Sequence, residues 1–289
     1  MSDASMAPPV CPRHPTTVSY VTCQRCGRPT CPACQRPAAV GIQCVDCVHQ
    51  AAKAAPTQRT ALGGRLRTAG MPVTLVIIGI CVVSWLLQLV TGGAWTQALA
   101  FWPGIGLHEP WRFLTAAFLH STMPMHIMFN MYALFITGQF LEPVLGRARY
   151  ITLCLLAAIG GSVGVVLLTS PTASPQGFIT WGPAVVGASG MVFGLFGAMI
   201  PVLRRLGNNA YQIIGVIAIN AAIGFLVSGI AWQAHAGGLV VGLALGYGYA
   251  HAPRDKRQLV GWLLPTGIVA VLIAITLIRY TQTGWIHTL

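Results

Sequence analysis

Ser189, His235 and Asn130 are the residues of this chain best equipped for covalent chemistry, and all three sit in apolar runs where polar side chains are costly. A serine hydroxyl is a poor nucleophile until a base removes its proton, and a neutral imidazole suits that task. An amide N–H fixed in advance can stabilise the oxyanion formed when such a serine attacks a carbonyl. Taken alone, Asn130 fits an interhelical hydrogen bond equally well. Glu142 is the single acid within an apolar run, and it lies 12 residues from Asn130, about 18 Å along a helix. No carboxylate is placed to orient His235, so these residues describe a Ser189–His235 dyad, not a triad. Of the remaining polar groups, His120, Glu142 and Arg112 read as structural, and Asn220 and Gln233 as packing or interfacial groups.

A second group of reactive side chains lies near the N-terminus, where seven of the nine cysteines fall between Cys11 and Cys47. The pairs are Cys11-x2-His14, Cys23-x2-Cys26, Cys31-x2-Cys34 and Cys44-x2-Cys47. Eight ligands in two-residue-spaced pairs are enough for two tetrahedral zinc ions. A segment of about 50 residues with few aliphatics has little core, so bound metal supplies its folding energy. Disulfides and an iron–sulfur cluster are the competing readings; the first needs an oxidising compartment, which a cytosolic segment lacks. The arrangement is similar to cross-braced zinc modules of the B-box type. That similarity implies Cys11, His14, Cys31 and Cys34 on one ion and Cys23, Cys26, Cys44 and Cys47 on the other. Sequential pairing is the alternative, with His49 as a stand-in ligand. Cys81 and Cys154, lone thiols inside apolar runs, read as packing residues.

The elements that must position these groups are membrane helices. Hydrophobic residues make up 55% of the 289 and charged residues 8%, far below the roughly 25% charged residues of a soluble domain. Seven apolar runs are long enough to span or nearly so: about 71–91, 123–143, 149–169, 188–203, 211–229, 232–250 and 259–279. The formal charge of +12 is not a nucleic-acid footprint, because the cations cluster in the first 67 residues and in short gaps between runs. Arg65 and Arg67, Arg147 and Arg149, Arg204 and Arg205, and Arg254, Lys256 and Arg257 occupy alternate gaps, with Arg279 a single exception. The positive-inside rule then places the N-terminus in the cytoplasm and the C-terminus outside. No cleavable signal peptide is expected, since the first apolar run begins near Met71. The outer loop of about 30 residues between the first two spans is partly apolar and is expected to dip into the interface, with Trp95, Trp102 and Trp111 at that level.

Counting from the inner charges gives depth. Ser189 is 15 residues from Arg204, Asn130 17 from Arg147 and His235 19 from Arg254, roughly 22–29 Å at helical rise. Three polar groups from three helices thus share the outer part of the bilayer core. Glycines at Gly190, Gly194 and Gly197 and at Gly238, Gly242 and Gly246 make two flat seams. Facing seams bring Ser189 and His235 together; generic helix packing is the plainer reading of the same glycines. The short fourth run leaves room for a polar, water-holding basin above Ser189.

Five motifs in order resemble the rhomboid family over about 71–279: Trp111-Arg112, His126-Ile-Met-Phe-Asn130, Gly138-Gln-Phe-Leu-Glu142-Pro-Val-Leu-Gly146, Gly187-Ala188-Ser189-Gly190, and Ala234-His235-Ala-Gly-Gly238-Leu-Val-Val-Gly242. His120 and His126 are six apart where rhomboids usually show five, and Phe193 stands where some members carry Tyr. The resemblance implies an intramembrane serine endopeptidase with Ser189 as nucleophile and His235 as base. Asn130, His126 and the Ser189 backbone N–H would form the oxyanion hole, and the substrates would be single transmembrane helices entering from the side. The competing membrane readings are an inactive rhomboid-like binding or trafficking module, which the presence of both dyad residues disfavours, and a transporter or channel, which lacks the expected inverted repeats.

The expected architecture is an all-α polytopic membrane protein. A zinc-binding domain at 1–50 and a basic linker at 51–70 precede a six-helix rhomboid core at 71–254, with a seventh helix and tail at 255–289. Two structural zinc ions and no catalytic cofactor are expected. The lipid bilayer, transmembrane substrates and a cytosolic protein on the zinc domain are the expected partners, without nucleic acid. The arrangement resembles a bacterial plasma-membrane protein.

Overall fold

The computed structural model describes residues 7–54, 60, 62–64, 70–173 and 179–285. Arg59, Arg65 and Arg67 of the expected linker lie outside these. The chain divides into two compact units, one within Met1–Thr57 and the other within Gln58–Leu289.

The first unit has two small hairpins and a helix. Strand β1 (Val10–Cys11) pairs antiparallel with β2 (His14–Val18), and β3 (Gln35–Pro37) with β4 (Ile42–Cys44), which runs into helix α1 (Val45–Ala54). Buried groups of this unit are mostly cysteines: Cys11, Cys31 and Cys34 cluster with Val45, and Cys23, Cys44 and Cys47 form a second cluster. That is too little apolar surface to order about 50 residues, as the composition requires.

The second unit is a helical bundle. Its elements are α2 (Pro72–Val90), α3 (Ala94–Leu99), α4 (Arg112–Thr115), α5 (Pro124–Leu145), α6 (Arg147–Leu168), the short hairpin β5 (Thr172–Ala173) and β6 (Ile179–Thr180), α7 (Ser189–Arg205), α8 (Tyr211–Leu226), α9 (Trp232–His251) and α10 (Arg257–Gln282). Each of the seven apolar runs is a helix. Three, α2, α6 and α10, are long and apolar enough to cross a membrane on those criteria alone, and α8 is a shorter apolar helix. The helices α5 and α9 are 22 and 20 residues long, and their hydropathy is diluted by the polar groups singled out above.

Helices α6, α7 and α9 form the packed centre. Along the seam between α7 and α9, the Gly190 carbonyl lies where a Gly238 methyl would stand, and the Gly194 carbonyl where a Gly242 methyl would stand. A side chain at either position would push the helices apart, so the glycine seams face each other. A second seam was not anticipated: Gly160 and Gly164 of α6 pack against Gly237 of α9 with no space for a methyl. The peripheral α2 buries a single stripe, Thr74, Ile77, Cys81, Ser84 and Gln88.

Charged groups tie the ends together. The Glu142 carboxylate accepts from the Val73 N–H (3.0 Å), the Thr74 N–H (2.9 Å) and the Thr74 hydroxyl (2.8 Å), capping the first turn of α2 from the end of α5. Arg112 is buried in the loop between α2 and α5; it pairs with Glu109 and donates to the carbonyls of Gln97 (2.6 Å) and Ala100 (2.7 Å). Arg149 donates to the carbonyls of Leu62 and Arg257 and lies over the Tyr249 ring. Arg279, the exception to the charge pattern, donates to the Val166 and Thr169 carbonyls at the C-terminus of α6, where a cation is favoured. Its charge is spent on a helix end.

Candidate active site and metal sites

Ser189 is the first residue of α7, so its backbone N–H lies in the first turn, where no helical carbonyl is within reach. The approach to it is forced. Gly187 has φ +132°, a conformation that side chains rarely adopt, and its N–H donates to the Ala116 carbonyl at 3.0 Å. A Cβ there would lie 3.0 Å from His126 Cε1, 3.1 Å from His126 Nε2 and 3.8 Å from Ser189 Oγ. The serine hydroxyl and the His126 ring therefore flank one bare glycine.

The hydrogen bonds of His126 determine its tautomer. Nδ1 accepts from the Ser121 backbone N–H at 3.1 Å, with the Ser121 hydroxyl at 3.2 Å. A backbone N–H can only donate, so Nδ1 carries no proton and the neutral ring is protonated at Nε2, the atom facing Gly187. Asn130, one turn along α5, is buried; its amide donates one bond to the His126 carbonyl at 2.8 Å, leaving a second N–H.

His235 comes from α9. Its ring is stacked on Phe193, with centroids 4.1 Å apart and planes 9° from parallel. Phe193 lies one turn below Ser189 on the same face of α7. Beside them, the Ala234 carbonyl is 3.3 Å from where a Gly190 Cβ would stand, so the residues next to the serine and the histidine abut. His235 Nδ1 is buried without a hydrogen-bond partner among the described residues, and Glu142 is engaged at the start of α2. Among the hydrogen bonds of the described residues, none joins the Ser189 hydroxyl to the imidazole; such bonds are often long in resting sites and tighten when substrate binds.

Other polar residues have clear places. His120 is buried edge-on to His126, 5.3 Å between centroids, with neither ring nitrogen hydrogen-bonded among the described residues. Asn220 is exposed on α8 and bonds back to the Val216 carbonyl. Gln88 was overlooked in the sequence. Its amide group donates to the His120 carbonyl (2.8 Å) and accepts from the His120 N–H (2.8 Å), clipping the segment before α5 onto α2. A glutamine inside an apolar run was the available signal. The Ser162 hydroxyl, which donates to the Phe113 carbonyl at 2.9 Å, escaped notice in the same way.

In the first unit the ligands gather as Cys11, His14, Cys31 and Cys34, and as Cys23, Cys26, Cys44 and Cys47, with the ligand atoms of each group within 4.8 Å of one another. This is the cross-braced grouping; sequential pairing is not what the fold brings together. Cys26 and Cys44 Sγ are 3.8 Å apart, and two sulfurs at tetrahedral zinc bond lengths would be about 3.8 Å apart. His14 presents Nδ1, 3.2 Å from Cys31 Sγ and 3.4 Å from Cys34 Sγ. The Cys44 N–H donates to Cys23 Sγ at 3.1 Å, and Arg28 Nε to Cys26 Sγ at 3.3 Å. The electrostatics favour a cation. The Cys31 and Arg13 N–H groups lower the Cys11 thiol to about 6, whereas burial and the neighbouring Cys11 and Cys31 sulfurs push Cys34 up to about 11. Full ionisation of either cluster is thus opposed by its own thiolates unless a metal ion supplies positive charge. Cys81 and Cys154 are fully buried in the helical core.

Comparison with known proteins matches residues 107–252 to a family described as the Rhomboid domain. The rhomboid protease GluP of Bacillus subtilis (strain 168) is 30% identical over 221 residues, which is 72% of this chain but 40% of GluP. The rhomboid protease GlpG of Yersinia pestis (strain Pestoides F) is 27% identical over 203 residues, 66% of this chain and 68% of GlpG. The same figures hold for GlpG of Yersinia pseudotuberculosis serotype O:3 (strain YPIII).

Proposed function

The chain belongs to the rhomboid family, and from that premise we propose that it is an intramembrane serine endopeptidase acting through Ser189 and His235. The observation that carries this reading is the meeting of three helices around Gly187 and Phe193. Ser189 and His126 flank the first, and His235 stacks on the second. The substrates are transmembrane segments of other proteins, reached within the bilayer, in keeping with the names of the relatives.

In the first half-reaction the Ser189 oxygen bonds to the scissile carbonyl carbon while its proton passes to His235. The carbonyl electrons move onto oxygen, and the oxyanion is met by the Asn130 amide, the His126 Nε2–H and the Ser189 backbone N–H. The carbon–nitrogen bond then breaks, and the imidazolium returns its proton to the leaving amine. Water repeats the cycle on the acyl-serine, with His235 again as base, and frees the new carboxylate. With no partner for Nδ1 among the described residues, the orientation of His235 depends on Phe193 and the α7–α9 seam.

The three-cysteine, one-histidine cluster and the four-cysteine cluster hold zinc, whose ligand types and spacing they match. Four protein ligands per ion leave no open position, so the metal supplies folding energy to a cytosolic module suited to docking a protein partner. The basic residues set the topology, N-terminus in the cytoplasm and C-terminus outside, in a bacterial plasma membrane.

The test is reaction of the purified full chain with a fluorophosphonate probe and with a transmembrane reporter substrate. Labelling and cleavage are expected for the native chain and lost in Ser189→Ala and in His235→Ala. Cleavage retained by either variant overturns the assignment.

A further inference from the structure

The last helix buries little along its length, Leu272, Thr276 and Tyr280, yet its C-terminal end makes a dense set of polar and aromatic contacts. The fully buried Tyr280 hydroxyl donates to the Pro103 carbonyl at 2.5 Å, and Trp285 Nε1 donates to the Gly104 carbonyl at 2.8 Å. Both residues therefore grip the outer loop between α2 and α5. The same two rings meet Trp181 edge-on, with centroids 5.0 Å and 5.5 Å away. Trp181 is buried and pinned through Nε1 to the Thr169 hydroxyl at 2.9 Å, while Arg279 donates to the Thr169 carbonyl at 2.7 Å.

Trp181 opens the stretch that ends at Ser189. Four residues on, Val185 exchanges two backbone hydrogen bonds with Phe101 (2.8 and 3.1 Å), and Gly187 bonds to Ala116. Phe101, Trp181 and Tyr280 share one buried cluster with Ala234, the residue before His235, and Val185 and Trp285 pack against it. One cluster thus touches the approach to the serine, the outer loop and the neighbour of the histidine.

We propose that Tyr280 and Trp285 are positioning residues for the Ser189 chemistry, clamping the segment from Trp181 to Gly187 and the outer loop into one rigid roof. The proposal rests on the serine-hydrolase reading above. A brace that only stabilised the fold would change the unfolding midpoint and leave the rate per folded molecule alone. A clamp on the approach to Ser189 changes that rate.

Tyr280→Phe removes one hydroxyl and Trp285→Phe one N–H, each keeping a ring; Tyr280→Phe serves by itself should the tryptophan variant fold poorly. In purified full-length protein, each variant is expected to lower the fluorophosphonate labelling rate and kcat by about tenfold, within reach of a small misplacement of reacting groups, with KM little changed. Amide exchange over 179–188 should quicken in the same variants. Native labelling and native exchange in both folded variants would overturn the clamp. A native chain whose Ser189 never labels would sink the hydrolase reading instead, and the exchange measurement would still decide the clamp.

Discussion

The Phe193 ring lies parallel to the His235 imidazole at 4.1 Å, bridging α7 to α9 one turn below Ser189. Because nothing among the described residues hydrogen-bonds to Nδ1, the proposed mechanism leaves the fixing of the ring plane to this face-to-face contact. Aromatic pairs of this kind contribute about 0.5–1.5 kcal/mol beyond burial. Phe193→Ala is therefore expected to cut kcat by about tenfold, whereas Phe193→Tyr keeps near-native turnover. Steady-state cleavage of a transmembrane reporter by the two variants checks this, and equal loss in both would refute the stacking role.

The seam below that pair makes a separate prediction about stability. A methyl at Gly242 meets the Gly194 carbonyl, while one at Gly79 on α2 meets nothing within 4 Å. Gly242→Ala should destabilise the fold by about 1–3 kcal/mol, the usual effect of overpacking, and Gly79→Ala should leave the midpoint unmoved. Thermal unfolding in detergent distinguishes the two. An unchanged midpoint for Gly242→Ala would mean that the helices are less tightly joined than the glycine contacts require.

These contrasts mark what the chain revealed in advance. The seven helices and the facing α7 and α9 glycines were legible, as was the placing of Ser189 and His126 around Gly187, because polar groups and small residues stand out against an apolar background. What escaped were partnerships that carry no distinctive spacing. Gln88 clipping the backbone of His120, Gly160 and Gly164 against Gly237, and Tyr280 reaching Pro103 across 177 residues are tertiary choices that a periodicity cannot express. The tautomer of His126 was equally hidden, since it depends on a donor, Ser121, in the preceding turn.

Glu142 offers a third test, one that separates stability from chemistry. Its two oxygens receive three donors at the start of α2. Glu142→Gln replaces one acceptor oxygen with an NH2 that faces other donors, leaving a buried N–H without a partner at a cost of about 1–3 kcal/mol. The variant should unfold at lower temperature and yield less folded protein, yet cleave at the native rate per folded molecule. A large fall in kcat with a native unfolding midpoint would instead bring Glu142 into the reaction.

The metal clusters give the last prediction, which turns on pairing. Cys11 and Cys31 share one group of ligand atoms and Cys23 and Cys44 the other. Native protein should contain two zinc ions per chain, one per cluster. The double variant Cys11→Ser with Cys31→Ser damages a single cluster, so one ion should remain. Cys11→Ser with Cys44→Ser damages both, and neither ion should survive dialysis against a chelator. Under sequential pairing, Cys11 would share an ion with Cys23 and Cys31 with Cys44, so the first double variant would lose both ions. Metal analysis of these two proteins decides between the pairings. The proposed Ser189–His235 chemistry draws on no metal, so on that reading the chelated native chain should still react with the serine probe.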